Sequence, residues 1–300
     1  MTDSRSTVGI YIPFWGELAY LRTAVESVQA QTDPDWTLTV VNDAHPDRSV
    51  DAYFQTLEDS RIRYIRNETN CGITENFRRC VQMATEPRIV VMGCDDFLLP
   101  GYVEVVRRAH AAFPGAGLIQ PGVQVVDEEG RTVSTLVDNV KQKLMRPRHS
   151  TPALLGGDKL AANLMQGNWL YWPSLAFRRE TIQAHDFRDE FAVIQDLALI
   201  MDLLLDGEEL LLVPETVFAY RRHSSSASSL ELINGSRFEG ERRFFALAGS
   251  LATAKGWNRT RTAARMHLTS RLHALVLLPA TLARRDVPTV RRILRHSFGS

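Results

Sequence analysis

An α/β fold, a mostly parallel sheet flanked by helices with a C-terminal helical appendage, is what this sequence predicts. Three observations carry the expectation. Nearly unbroken apolar runs of strand length (VGIYIP, WTLTVV, RIVVM) alternate with helical periodicity through the first hundred residues. Strands that are apolar at almost every position are buried on both faces, as in a parallel sheet layered between helices. The end of the chain then changes character, with nine arginines and one acid, Asp286, from Trp257 to Ser300.

Taken in order, Val8 to Pro13 reads as the first strand. Leu18 to Gln31 reads as a helix, with Leu21, Ala24, Val25 and Val28 on one face. A turn at Thr32–Asp35 leads to a second strand, Trp36 to Val41. Asp51 to Leu57 is expected as helix and Ile62 to Ile65 as the third strand. Thr74 to Ala84 follows as a helix that Thr74 would cap. Ile89 to Met92 is the fourth strand. Beyond it come a strand at Leu118–Val126, a turn at Asp127–Gly130, and a loop over Lys141–Thr151 rich in Arg, Lys and Pro. Helices at Lys159–Met165 and Leu197–Leu205 precede a strand at Glu215–Tyr220 and the polar run RRHSSSASS. From Arg237 onward two or three amphipathic helices are expected, broken near Gly256–Trp257 and again at Pro279 and Pro288. No internal repeat is visible.

The totals exclude several classes. Three hundred residues, 44% hydrophobic and 23% charged, can bury a full core. Zero formal net charge gives no electrostatic case for a nucleic-acid partner. Cys71, Cys80 and Cys94 have no CxxC spacing, which argues against a disulfide framework or a zinc site and fits a reducing cytoplasm. The opening MTDSRSTVGIYIP lacks the order of a signal peptide. The longest apolar stretch, Leu272 to Ala283, is short of the roughly 20 residues that span a bilayer. A soluble cytoplasmic protein is expected, at the inner face of the membrane if its tail meets lipid.

In open α/β sheets ligands sit at the carboxyl ends of the strands. Here those ends carry Pro13–Phe14–Trp15, Asn42–Asp43, Asn67 to Asn70, and the adjacent pair Asp95–Asp96. Two carboxylates just past a buried strand suit a hard divalent cation, whose remaining positions a diphosphate and water can fill. An isolated Asp-Asp more often shapes a turn or caps a helix, here one beginning near Pro100. Its place on a rim shared with Asp43 favours the site.

At this point a family likeness enters. VGIYIPFWGELAYLRTAVESVQAQTDPDWTLTVVNDAHPD resembles the opening of family-two glycosyltransferases with the GT-A fold, a Rossmann-like α/β architecture. NETNCGITENFRRCVQMATEPRIVVMGCDDFLLPGYVE resembles their N-x-G-x-x-x-N stretch, the helix after it, and the acidic motif followed by Pro. WPSLAFRRE, QDLALIMDLLLDG and YRRHSSSAS are similar to the later strand, the catalytic-carboxylate helix and the closing basic motif. The likeness runs from about Val8 to Ser229. It implies a catalytic domain over 1–230, with a nucleotide-binding half (about 1–100) and an acceptor half (about 101–230), followed by a basic amphipathic region over 231–300.

The activity implied is inverting transfer of a sugar from a nucleotide-sugar donor to a hydroxyl on a saccharide, lipid-linked or small-molecule acceptor. By the same resemblance Pro13 and Asp43 would line the nucleotide pocket, with Asn70, Gly72 and Asn76 beside it. Asp96 would hold manganese or magnesium, Asp95 would assist or bind ribose, and His223 would approach the metal. Asp196 would be the general base, kept ionised by the N-terminal end of its helix; an N-cap is the alternative role for a residue of that type there. Trp169, Tyr171 and Trp172 are candidates to stack on the acceptor, though Trp is more often core.

Three places depart from the family's pattern. Cys94 or Gly93 stands where another Asp is usual, and a thiol is a poor ligand for these cations. Gln195 replaces the acidic neighbour of the base. Phe14–Trp15–Gly16 also replaces polar residues after Pro13. These departures motivate the alternative of a catalytically silent nucleotide-sugar-binding subunit. A nucleotidyltransferase is disfavoured because no Gly-rich, basic phosphate loop follows the first strand. The tail's arginines beside Leu, Phe and Val suit either a peripheral membrane contact or helix packing on the catalytic domain or in a homodimer.

Overall fold

The computed structural model describes residues 7–191, 194–223, 236–283 and 286–298. Its nine-stranded sheet has the order β3-β2-β1-β4-β8-β6-β9-β5, with β7 pairing on β9. The first half is β1 (Val8–Phe14), α1 (Leu18–Gln29), β2 (Trp36–Asn42), α2 (Ser49–Gln55), β3 (Ile62–Arg66), α3 (Ile73–Met83) and β4 (Arg88–Val91). These four strands are parallel in the order 3-2-1-4, so the chain reverses its direction of travel between β1 and β4. That reversal opens a crevice at the strand ends, the usual binding place in such sheets.

The second half adds β5 (Phe97–Leu98), α4 (Tyr102–Ala112), β6 (Leu118–Val126), β7 (Ala153–Leu155), α6 (Gly157–Gln166), β8 (Ala176–Arg178), α7 (Arg179–Gln183), α8 (Gln195–Leu205) and β9 (Leu210–Arg221). Between β6 and β7 a short helix, α5 (Leu136–Asn139), runs into a wider π-turn over Val140–Met145. Part of the expected loop at Lys141–Thr151 is therefore helical. Strand β8 runs antiparallel to both β4 and β6, which makes the sheet mixed.

Alternation explains why the strands are apolar throughout. Val8, Ile10, Ile12 and Phe14 of β1 join α1 and α4 on one face, while Tyr11 joins α3, α6 and α8 on the other. Val90 and Met92 follow the first group, Ile89 and Val91 the second. At the sheet's edge, β3 (IRYIR) is only partly covered and carries two charges, Arg63 and Arg66.

The tail forms four helices, α9 (Ser236–Lys255), α10 (Asn258–Met266), α11 (Leu268–Ala283) and α12 (Val287–Phe298). Phe244, Phe245 and Ala248 of α9 join the same core as α6 and α8, together with Ala263 and Ala264 of α10. Asp158 of α6 accepts from the backbone N–H groups of Arg259 and Thr260, satisfying the orphan donors at the start of α10. The first half of the tail thus packs on the α/β domain. The break at Gly256–Trp257 is where the sequence places it, but Pro279 lies inside a continuous α11. Pro279 is on the exposed side of that helix, where water can reach the backbone its missing N–H leaves unpaired. Pro288 is the second residue of α12, in the first turn, where no N–H partner is needed.

Candidate active site

The rim over β2 and β3 is organised by one carboxylate. Asp43 is 2% exposed, and its Oδ1 accepts from Asn67 Nδ2 (2.8 Å), Cys71 N (2.9 Å) and the Cys71 thiol (2.9 Å), while Oδ2 accepts from Gly72 N (2.9 Å). Burial opposes its ionisation, but the donors from Cys71, Asn67 and Gly72 outweigh it and hold the carboxyl below its ordinary range. Asn76, also buried, donates to Val41 O (2.9 Å) and accepts from Asn67 (3.2 Å), locking α3 to β2. Gly72 precedes α3 with φ 86°, a conformation that favours glycine, and its N–H is shared with Asn70 Oδ1 at 3.1 Å. Asp43, Asn70, Gly72 and Asn76 are therefore one interlocked set, and Asn67, which sequence reasoning placed only on the rim, is its hub.

Thr74 does not cap α3, because Gly72 is the residue before the helix. The Thr74 hydroxyl instead donates to Gln195 Oε1 at 2.7 Å. That bond brings the start of α3 against the start of α8. Asp196 lies in the first turn of α8, partly exposed, and the capping position is Ile194. The carboxylate thus sits where the helix's N-terminal dipole favours its charge, without occupying the cap itself.

The rim over β4 is built differently. Asp96 is 1% exposed; its Oδ1 accepts from Arg221 N at 2.9 Å. Asp95 Oδ2 pairs with His223 Nε2 at 2.7 Å, and its carbonyl accepts from Arg221 Nε at 2.8 Å. Each carboxylate is held through one oxygen by the end of β9. The other oxygen of each lies beside Gly93, where an added Cβ would stand 2.6 Å from Asp95 Oδ1 and 2.9 Å from Asp96 Oδ2. Burial, then the charge of Asp95, drives the proton affinity of Asp96 well above its ordinary value. Neither carboxylate caps α4, whose capping position is Gly101.

Arg221 ties this rim to its neighbours. Its guanidinium lies 4.6 Å from the Tyr20 ring and 5.3 Å from the Phe97 ring, and donates to Glu128 O at 2.6 Å. His223 packs against Tyr20 with ring centroids 5.5 Å apart, and the bond to Asp95 raises its pKa against the opposing effect of burial. Beside it, Arg222 makes a bidentate pair with Asp138 (2.7 and 2.6 Å), which also accepts from Tyr171 OH at 2.8 Å. Asp138 is buried, and these donors hold it ionised against the cost of burial. Asp138 was not visible in the sequence, since nothing periodic surrounds it; Arg221 and Arg222 were visible only as part of YRRH. The remainder of the polar run, from Ser224, lies outside the described residues, as does the domain boundary near 230.

The two tryptophans of the aromatic cluster go into the core and not to the rim. Trp169 is 1% exposed and donates to Asn163 Oδ1 at 2.6 Å, and Trp172 packs among Phe177, Phe187 and Phe77. Both belong to the core, and Tyr171 spends its hydroxyl on Asp138. At the end of β1, Pro13 is half-buried beside Val41. The half-exposed Trp15 that follows leans edge-on against His45 with centroids 5.0 Å apart. Cys94 keeps its proton, its thiol pushed up to about 12 by burial and by Asp95. It would lie 3.1 Å from a Cβ at Gly16, so it packs under the loop after β1.

The donor set suits magnesium or manganese. Both free positions are carboxylate oxygens, the hard ligands these cations take. Among the described residues no group of three or more His, Cys, Asp or Glu side chains could enclose a metal alone. The described residues supply part of a shell at most, which phosphate oxygens and water would complete.

The sequence profile of glycosyl transferase family 2 matches residues 9–181, more than half of the chain and all four strands of the rim. This protein belongs to that family. An uncharacterized protein of Mycobacterium tuberculosis, MT1568, is 24% identical over 78% of this chain and 72% of its own length. WcaA of Escherichia coli, described as a putative colanic acid biosynthesis glycosyl transferase, is 27% identical over 33% of this chain and 36% of its own. Among solved structures, Staphylococcus aureus TarS 1-349 in complex with UDP-GlcNAc superposes with a TM-score of 0.63 at 12% identity, over 96% of this chain and 90% of that one. The fold is thus GT-A, and the helical tail is included in the superposed length.

Proposed function

We propose that this family-2 glycosyltransferase is an inverting enzyme that draws its sugar from a nucleoside-diphosphate donor bound across the crevice between β1 and β4. The observation that carries the reading is the pair of adjacent carboxylates just past buried β4, one oxygen of Asp95 held by His223 and one of Asp96 by the Arg221 N–H, with the other oxygen of each lying beside Gly93. A divalent cation, manganese or magnesium, would be held by Asp96 with Asp95 and His223 beside it, and would supply the positive charge that offsets charge developing on the leaving diphosphate. The nucleotide lies against Pro13, Trp15 and the Asp43-organised loop through Asn70 and Gly72. TarS, with its UDP-GlcNAc complex, supports a nucleotide-sugar as the donor class.

Asp196 takes the proton of the acceptor hydroxyl as its oxygen attacks the anomeric carbon from the face opposite the departing diphosphate. One base and one displacement give inversion. Thr74 and Gln195 hold the start of α8 beside the loop before α3, which supports Asp196 as the base. Gln195 cannot ionise, so no second carboxylate competes for that proton.

Calorimetric titration with UDP, GDP, TDP and CDP, with and without manganese, tests the reading on wild type and Asp96→Ala. One nucleotide should bind only with manganese, and the variant should lose it. Binding indifferent to both metal and Asp96 would overturn the metal site. Asp196→Asn should bind nucleotide as wild type does while transfer falls about 10²–10⁴-fold. A wild type that binds a nucleotide-sugar yet transfers nothing to water or any sugar acceptor would instead make the chain a silent binding subunit.

A further inference from the structure

The second half of the tail is unlike the first. Helix α11 covers little of the core: among its described side chains only Ala274 is fully buried, in a small cluster with Phe238 and Ile293. Its exposed residues are Leu268, Leu272, Val276, Pro279, Leu282 and Ala283, apolar without exception among the described side chains. Their spacing of four, four, three and three along the first five is that of a single helical face. Leu272 is 59% and Val276 is 74% exposed. The face runs the length of a sixteen-residue helix, about 24 Å. Scattered exposed leucines need no explanation, but a continuous apolar face does.

Charge decides what covers it. The one arginine on α11, Arg271, turns inward to His267 Nε2 and to the carbonyl of Ser297. Arg261 and Arg265 before the helix, and Arg291, Arg292 and Arg295 after it, are exposed, and the stretch from Trp257 to Ser300 holds a single acid against nine arginines. A second copy of this chain docked symmetrically through the same face would bring two arginine-rich surfaces together with almost no carboxylate to pair them. An anionic bilayer surface satisfies both halves of the pattern, taking the apolar face into its interface and the arginines among its phosphates. Among the described residues no helix is long and apolar enough to cross a membrane, so the contact would be peripheral.

We infer that α11, flanked by the arginines of α10 and α12, is a docking surface for anionic lipid that seats the enzyme on a membrane. Flotation of the full chain with vesicles tests this, using phosphatidylcholine alone and phosphatidylcholine with about a third phosphatidylglycerol. Wild type should float with the anionic vesicles and stay behind with the neutral ones. Leu272→Glu with Val276→Glu should abolish flotation. Arg291→Glu with Arg292→Glu should weaken it by about fivefold per arginine removed, or more. All four positions are exposed, and unchanged circular dichroism and melting will verify that the fold is kept. Light scattering without lipid supplies the competing outcome. A dimer that Leu272→Glu dissociates, in a protein that ignores anionic vesicles, would assign the face to a second copy and overturn the proposal. Equal flotation with neutral vesicles would overturn the role of the arginines.

Discussion

Asp43 and Asp96 are the same residue type, at the ends of neighbouring parts of one sheet, and equally buried. Their environments are opposite. Asp43 receives four donors from the loop it organises and is held ionised. Asp96 receives the Arg221 N–H, faces Asp95, and is pushed toward its protonated form. A carboxylate has about four lone-pair positions, so Asp43 is nearly saturated by its own chain. The difference separates a carboxylate that completes the protein from one that a cation would complete. Asp43, expected to line the nucleotide pocket, thus spends most of its carboxyl on shaping the loop beside it.

Replacement of each residue breaks the comparison most forcefully. Asp96→Ala should cost transfer about 10³-fold or more, since a metal's charge stabilisation is worth several kcal/mol. It should leave the metal-free fold as stable as wild type, or more so, because a buried carboxyl near a like charge is removed. Asp43→Asn should do the reverse in kind. Its amide would turn a donor toward the N–H groups of Cys71 or Gly72, destabilising the fold by about 2–4 kcal/mol. Melting and nucleotide titration on both variants read the contrast. An Asp96→Ala protein that melts well below wild type without metal would place it with Asp43 as a structural carboxylate.

The strand-and-helix alternation of the first hundred residues was legible because burial on both faces leaves continuous apolar runs, and α1 and α3 have clear stripes. The carboxylate pair was legible because charges after such a run stand out. What escaped was whatever depends on tertiary pairing. Strands β5, β7 and β8 have two or three residues each and exist only because a neighbour supplies their partners. Thr74 carried a cap signal, and its bond to Gln195 spans 121 positions. Asp138 is anchored by Arg222 from 84 positions away. Trp169 and Trp172 look alike in a rim or a core, and only packing distinguishes them.

The pH dependence of stability sharpens the same contrast with a smaller effect. Asp43 is depressed in the folded state, so its contribution is present above the ordinary carboxylate value of about 4 and is lost as pH falls through its lower folded value. Asp96 is raised, so between about 4 and its folded value the native state holds a proton that the unfolded chain has released. Through that window its contribution declines as pH rises. Metal-free melts across the acidic to neutral range should therefore show wild type losing stability toward neutral pH relative to Asp96→Asn. Manganese should remove that decline, since the cation favours the ionised form. If wild type and Asp96→Asn run parallel at every pH without metal, Asp96 titrates normally and the argument for an incomplete site fails.

The smallest effect tests how far the Asp43 rim is optimised. Ala44, the next residue, has φ 58°, a left-handed conformation that costs an alanine about 1–2 kcal/mol. The turn is enforced by its neighbours: Asn42 O accepts from Ala44 N (2.9 Å) and Asn42 Oδ1 from His45 N (2.8 Å). With Asp43 and Asn42 both fixed, the backbone has no other path. Glycine would adopt this conformation without strain but loses more freedom on folding, about 0.5–1 kcal/mol. Ala44→Gly should therefore raise stability by up to about 1 kcal/mol, visible as a rise of a few degrees in Tm, with nucleotide affinity unchanged. A fall in stability would mean that the turn relaxes around alanine, and that the rim over β2 is less rigid than four donors on one carboxylate imply.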